Sequence, residues 1–302
     1  MSTAAIYRTS AIKRSRRTRR QVEELENAIH AVAAAEKPVT IRGLFYRVVS
    51  KGLVSKTEQG YRQVQNRVLL MRRRGDLPYG WVADGTRWQV KPKTYSSIDR
   101  ALQNTATCYR RALWDRQNVH VEVWAEKDAI RSVIHPVTDE FDVPLMVARG
   151  FASETFLWET AQEIIADDKP AVIYQLGDHD PSGLAAWKHI QGRLTEFAPR
   201  AEFQFERLAV TPAQLTEHRL PTRPTKTTDS RAADFDGDSV EVDALPSPIL
   251  RDLVREAIEF WIDDEALRLT EIAERCEREV LYSIASWSRS GSWSWLDREP
   301  ES

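Results

Sequence analysis

Hydrophobic positions follow two different rhythms along the chain. In the first third they recur every three or four residues. Val22, Leu25, Ile29 and Val32 predict a helix that starts near Gln21 and stops at Lys37-Pro38. Thr40 is placed to cap a second helix carrying Ile41, Leu44, Phe45, Val48 and Val49. A third helix is expected over 58–74, with Tyr61, Val64, Val68 and Met71 on one side and Gly75 and Pro78 ending it. Two short runs, 81–83 and 87–90, flank Asp84-Gly85, a strong hairpin signal. Residues 97–116 read as a connecting helix.

From residue 118 the rhythm changes to short apolar runs separated by helical stretches. Strands are expected at 119–125, 144–148, 171–176 and 202–209, and helices at about 127–135, 153–167 and 182–198. Such alternation implies a mainly parallel sheet flanked by helices. Residues 219–238 are polar and charged and read as a loop, followed by two closing helices at about 247–262 and 264–285. The fold class is therefore α/β. Three helices and a hairpin at the N-terminus describe a winged helix-turn-helix over 21–112, in which the third helix enters the major groove of DNA. The sheet-containing part spans 113–287.

Charge sharpens this division. The 302-residue chain has a net charge of −2, yet residues 1–112 hold 23 basic and 8 acidic residues, a balance of +15. Residues 113–302 hold 20 basic and 37 acidic residues, a balance of −17. A nucleic-acid-facing part joined to a part with another task is the expectation. Residues 1–20 carry a basic run without an acid and read as a disordered arm that follows phosphates; 288–302 read as a disordered tail. Arg62, Arg67, Arg72, Arg73 and Arg74 lie on the third helix and are the candidate DNA contacts. Hydrophobic residues make up 42% of the chain, enough for a core, and no apolar run is long enough for a membrane span. The first thirty residues hold no apolar run resembling a signal peptide, and Cys108 and Cys276 form neither a disulfide framework nor a zinc cluster. A cytoplasmic, nucleoid-associated protein is expected.

Chemistry gathers where two expected strands end. The first leads into Glu126-Lys127 and the third into Gly177-Asp178-His179-Asp180-Pro181-Ser182-Gly183. Functional groups collect at the carboxyl ends of parallel strands. Alternation puts Asp178 and Asp180 on one side and His179 on the other. Three converging carboxylates repel unless a cation holds them, and all-oxygen ligation suits Mg²⁺ or Mn²⁺. Glu126, Asp178 and Asp180 are the candidate metal ligands. On the second helix Tyr46 lies off the apolar stripe, with Arg42 one turn earlier on the same side. A phenol beside a guanidinium suits attack on a phosphodiester, and it equally suits a tyrosine at a domain interface. Asp234, Asp236 and Asp238 begin like a calcium loop, but Ser239 and Leu245 stand where glycine and glutamate are required. No phosphate-binding Walker sequence occurs.

The Glu126 and Asp178/Asp180 constellation resembles a Toprim domain, the metal-binding module of topoisomerases, primases and some nucleases. Ile41-Arg42-Gly43-Leu44-Phe45-Tyr46-Arg47 resembles the tyrosine motif of the topoisomerase VI A subunit and its relative, the meiotic double-strand-break transesterase. Val240-Glu241-Val242-Asp243-Ala244-Leu245-Pro246 is similar to the late Toprim region of that family. The resemblance covers about residues 20–285, and the chain's length matches the minimal stand-alone A-subunit-like (Mini-A) proteins. Gly43-Leu44-Phe45 departs from the acid and second tyrosine usual there. The resemblance implies an isomerase-class DNA strand cleavage by transesterification, with Tyr46 as nucleophile, Arg42 on the phosphate and Mg²⁺ (or Mn²⁺) on the three carboxylates. It also implies double-stranded DNA as partner, a homodimer whose tyrosine works on the other subunit's metal site, and a separate ATPase subunit for full topoisomerase action. Two other classes stay open: a Toprim nuclease that hydrolyses DNA without a covalent intermediate, and a non-catalytic DNA-binding module.

Overall fold

The computed structural model describes residues 17–83, 91–225, 235 and 237–289. Three helices come first: α1 (Arg19–Glu36), α2 (Ile41–Ser50) and α3 (Glu58–Arg74). Each starts where a threonine side chain takes up a free backbone N–H: Thr18, Thr40 and Thr57. Gly75 closes α3 in the left-handed region, at φ 81°. The expected strand at 81–83 is instead the end of a 3₁₀ turn over Tyr79–Trp81, plus a single parallel bridge from Val82 to Val39. The other arm of the expected hairpin, with Asp84-Gly85, lies outside the described residues, as do most of the basic arm and the tail.

The connecting helix α4 (Ile98–Cys108) is shorter than expected. Beyond it, acids of the last helix capture the chain in extended form: the Tyr109 hydroxyl donates to Glu277 and the Arg111 N–H to Glu274. The sheet then begins with β1 (His120–Ala125), followed by α5 (Asp128–Glu140), β2 (Leu145–Val147), α6 (Glu154–Asp167), β3 (Ala171–Leu176), α7 (Pro181–Phe197) and β4 (Phe203–Ala209). All four strands are parallel, in the order β2-β1-β3-β4. A short helix not expected from the pattern, α8 (Pro212–Glu217), follows β4, started by a capping box of Thr211 and Gln214 with Pro212 at its first position. A 3₁₀ turn (Val242–Ala244), α9 (Ser247–Glu259) and α10 (Asp264–Arg289) complete the chain, with α10 lying along α4.

Strand alternation sends the sheet's side chains into two cores. Val121, Val123, Val172, Tyr174 and Leu176 face one side, where α5, α9 and the three N-terminal helices pack. Trp124, Ala171 and Ile173 face the other, against α6 and α7. The first core is continuous from Leu25 and Leu44 through Val123 to Val254. No helix among the described residues is long and apolar enough to cross a membrane.

One charged group is buried in the second core. Glu122 is wholly buried on β1 and accepts the Trp124 indole N–H at 2.7 Å. The His120 ring spans Glu122 at 3.1 Å and Asp167 at 2.9 Å. Burial alone would lower the His120 pKa, but hydrogen bonding to Glu122 and then Asp167 outweighs it and raises the value. A histidine with a raised folded-state pKa contributes stability fully below its unfolded value, about 6.5, and loses it as pH climbs through the folded value. The melting temperature should therefore fall between pH 6 and pH 9 by more in the wild type than in His120→Gln. Equal falls would remove His120 from this linkage.

Candidate active site

The strand ends do bring the expected carboxylates together. Glu126 follows β1, and its N–H bonds to the Leu176 carbonyl at the end of β3, 3.0 Å away. Its carboxylate returns to accept the Asp178 N–H at 2.8 Å. Asp178 Oδ1 takes the Val242 N–H at 2.9 Å and the Lys127 ammonium at 2.8 Å. Asp180 caps α7, accepting the Gly183 N–H at 2.8 Å. Glycine is required at 183 because a Cβ there would strike the Asp178 carbonyl, whereas one at 177 would meet only the ends of the Gln175 and Glu126 side chains, which would have to shift.

Burial, and then the neighbouring Asp178, push the Glu126 carboxyl above its usual range. Burial also raises Asp178, against the pull of Lys127. Both shifts come first from burial, and the two groups offer oxygen donors only, the donor type a hard divalent cation takes. Among the described residues, no group of three His, Cys, Asp or Glu side chains is arranged to hold a metal ion. Asp178 is turned to Lys127 and Asp180 to its helix cap. A divalent ion here would take Glu126, Asp178 and Asp180 as its ligands.

His179 takes no part in this cluster. Its ring packs on Phe235 with centroids 5.0 Å apart, and its Nδ1 is buried without a hydrogen-bond partner among the described residues. Burial, then Arg207, lower its pKa. Asp238, one of the apparent calcium-loop acids, accepts the Thr222 hydroxyl at 2.6 Å, while Asp234 and Asp236 lie outside the described residues.

Tyr46 differs from its expected setting. It is only 3% exposed, packed on Phe45 and under the Lys56 ammonium. The apolar stripe faces the core as its spacing implies, but α2 packs on the 3₁₀ turn at 242–244 as well as on α1 and α3. A second face of α2 is thereby buried. The phenol is electrostatically coupled to Glu241 and Arg42. Burial and then Glu241 raise its pKa far above that of a free tyrosine, with Arg42 opposing. Arg42 Nη1 lies 2.9 Å from Glu241 Oε2, and Lys127 Nζ lies 3.2 Å from the same oxygen.

Three residues absent from the expected site complete it. Glu241 connects Tyr46 and Arg42 to Lys127, and Lys127 connects onward to Asp178. Asp243 accepts the Thr40 hydroxyl at 2.9 Å and faces Lys127 at 3.4 Å, joining the cap of α2 to the carboxylate cluster. Arg207, from β4, donates to Gln175 Oε1 at 2.7 Å, the Gly177 carbonyl at 2.9 Å and the Asp178 carbonyl at 2.5 Å. It clamps the turn that carries Asp178. Glu241 and Asp243 were legible only as part of a family-like segment, and no local signal marked Arg207.

The five arginines of α3 divide. Arg67 and Arg74 both pair with Glu26 of α1, at 3.2 and 2.9 Å. Arg72 donates to the Tyr79 and Val82 carbonyls at 2.9 and 2.8 Å and so holds the turn after α3. Arg62 makes an exposed pair with Glu58, a contact of little energy. Arg73 is exposed and has no ion-pair partner among the described residues. Arg72→Ala should therefore cost about 1.5–3 kcal/mol of stability, the range for hydrogen bonds from a charged donor. Arg73→Gln should leave the melting temperature unchanged and reduce the salt slope of DNA binding by about 0.9, one phosphate's worth. The reverse pattern in denaturation and salt titrations would exchange their roles. No protein-family model matches this chain, and no curated protein matches it.

Proposed function

We propose that the chain is a DNA-binding, metal-dependent strand-cleaving protein resembling the topoisomerase VI A subunit, with a winged-helix part and a Toprim part. One arrangement supports the reading: Arg42, one turn before Tyr46, is joined through Glu241 and Lys127 to Asp178 of the buried carboxylate cluster, more than 100 residues away in sequence. In the proposed reaction the Tyr46 oxygen attacks a backbone phosphorus. The new O–P bond replaces the bond to the 3′ oxygen, leaving a 5′-phosphotyrosyl link and a free 3′ hydroxyl. Arg42 orients the phosphate. A divalent ion held by Glu126, Asp178 and Asp180 would stabilise charge on the phosphate and the leaving oxygen. Double-stranded DNA is the proposed substrate and a homodimer the proposed cutting form.

A hydrolytic nuclease is the second reading, and the burial of Tyr46 favours it, since a solvent-shielded phenol with a raised pKa is a poor nucleophile until its surroundings open. Supercoiled plasmid with Mg²⁺ or Mn²⁺ separates the two. Transesterification gives cleaved DNA that stays attached to protein in denaturant, and Asp178→Ala gives neither cleavage nor adduct. Cleavage without adduct selects hydrolysis. DNA binding without cleavage by the wild type selects a non-catalytic module.

A further inference from the structure

We infer that Glu241 is an internal placeholder for a phosphodiester, occupying an anion site built from Arg42, Lys127 and Arg223. This rests on the reading of the chain as a DNA-cleaving protein. Three cationic side chains from three separate segments meet this carboxylate: Arg42 at 2.9 Å, Lys127 at 3.2 Å and Arg223 at 3.8 Å, the lysine also holding Asp178 at 2.8 Å and Arg223 also holding Asp180 at 3.5 Å. Arg223 is fixed there by its backbone, which pairs with Ser239 through two hydrogen bonds of 2.9 and 2.8 Å. The carboxylate is 12% exposed, whereas the arginine side chains are 40% and 43% exposed. Solvent-borne anions can therefore reach the guanidinium groups while the carboxylate that holds them stays covered.

The chemistry of the swap is balanced. A phosphodiester carries one negative charge, as the ionised Glu241 does, and it offers oxygens that suit arginine forks. Burial would raise Glu241, but Lys127 and then Arg42 keep its pKa below the usual range, so it competes as a full anion at neutral pH. Tyr46 interacts with the same carboxylate, so an anion that took Glu241's place would lie beside the phenol oxygen. The cations are thus held by the glutamate until a backbone phosphate displaces it.

The test titrates the full chain with inorganic phosphate in EDTA by calorimetry, with duplex DNA as competitor. Glu241→Gln keeps the shape and removes the competing charge. It should bind phosphate about tenfold more tightly or better, because the competent fraction of the site rises. Adding Arg223→Ala to it should cancel the gain, and duplex DNA should displace the phosphate. Unchanged phosphate affinity in a Glu241→Gln protein with a near-native melting temperature overturns the inference, as does phosphate that duplex DNA fails to displace. Should Glu241→Gln not fold, Arg223→Ala alone decides. Weaker phosphate binding than wild type supports the site, and unchanged binding overturns it. Cleavage is not the readout, so the two ideas fail separately. A phosphate gain without any covalent adduct keeps the placeholder and removes the transesterase. An adduct without a phosphate gain does the reverse.

Discussion

Tyr46→Phe should eliminate the covalent protein–DNA adduct while leaving folding and DNA binding intact. The ring keeps its packing on Phe45, 5.3 Å between centroids, and its place under Lys56. Only the hydroxyl is lost, and Glu241 retains Arg42 and Lys127 as partners. The melting temperature should change little. Cleavage by transesterification should drop on the order of a million-fold, the scale seen when an enzyme loses its nucleophile. Denaturing gels of labelled DNA with Mg²⁺ report both product and adduct. A phenylalanine variant that still cuts would discard the tyrosine and leave water as the attacking group. A variant that cannot bind DNA would mean that the hydroxyl serves the interface between α2 and residues 241–243.

The second large effect is structural. Lys127→Met should destabilise the protein by about 3–5 kcal/mol, the cost of stripping a buried ion cluster of its partner. Against a typical total of about 5–15 kcal/mol this is severe. Lys127 is 27% exposed and faces Asp178, Glu241 and Asp243 at 2.8, 3.2 and 3.4 Å. Burial alone would depress the lysine pKa, but Asp243, Asp178 and Glu241 outweigh it and raise the value well above that of a free lysine. A raised lysine contributes its full stabilisation below its unfolded pKa of about 10.4, so the whole effect is present at pH 7. Urea unfolding near neutral pH should show it. A loss under about 1 kcal/mol would put Lys127 among exposed surface pairs instead.

Much of this architecture can be read from local pattern. The third strand was expected at 171–176 and is β3 (Ala171–Leu176), because its residues are buried on both faces and bounded by Pro170 and Gly177. Glu126 and Asp178 lie side by side because topology alone brings the ends of β1 and β3 together. What the pattern could not show is pairing at a distance. Nothing near Arg67 says that Glu26 neutralises it from 41 residues away. Nothing near Tyr46 says that residues 242–244 will cover the helix face it occupies. Arg207 and Arg223 come from a strand and a loop whose places are fixed only by the complete fold. The local rhythm identified which groups could react, and long-range packing determined which of them are already engaged.

The continuous apolar core has a consequence for how the molecule melts and moves. Leu44, Phe45 and Val48 of α2 share one cluster with Val123 of β1 and with Val242 and Leu245. A fragment ending near residue 112 would expose apolar surface that the intact chain buries, and the remainder would lose the cover over its 3₁₀ turn. The described structure should therefore show one calorimetric transition, with no separate early peak for the N-terminal helices. Withdrawing Tyr46 as a rigid part of α2 would require breaking that core. Rotation of the side chain, or yielding of the 241–243 segment, is the cheaper route for bringing the phenol to DNA.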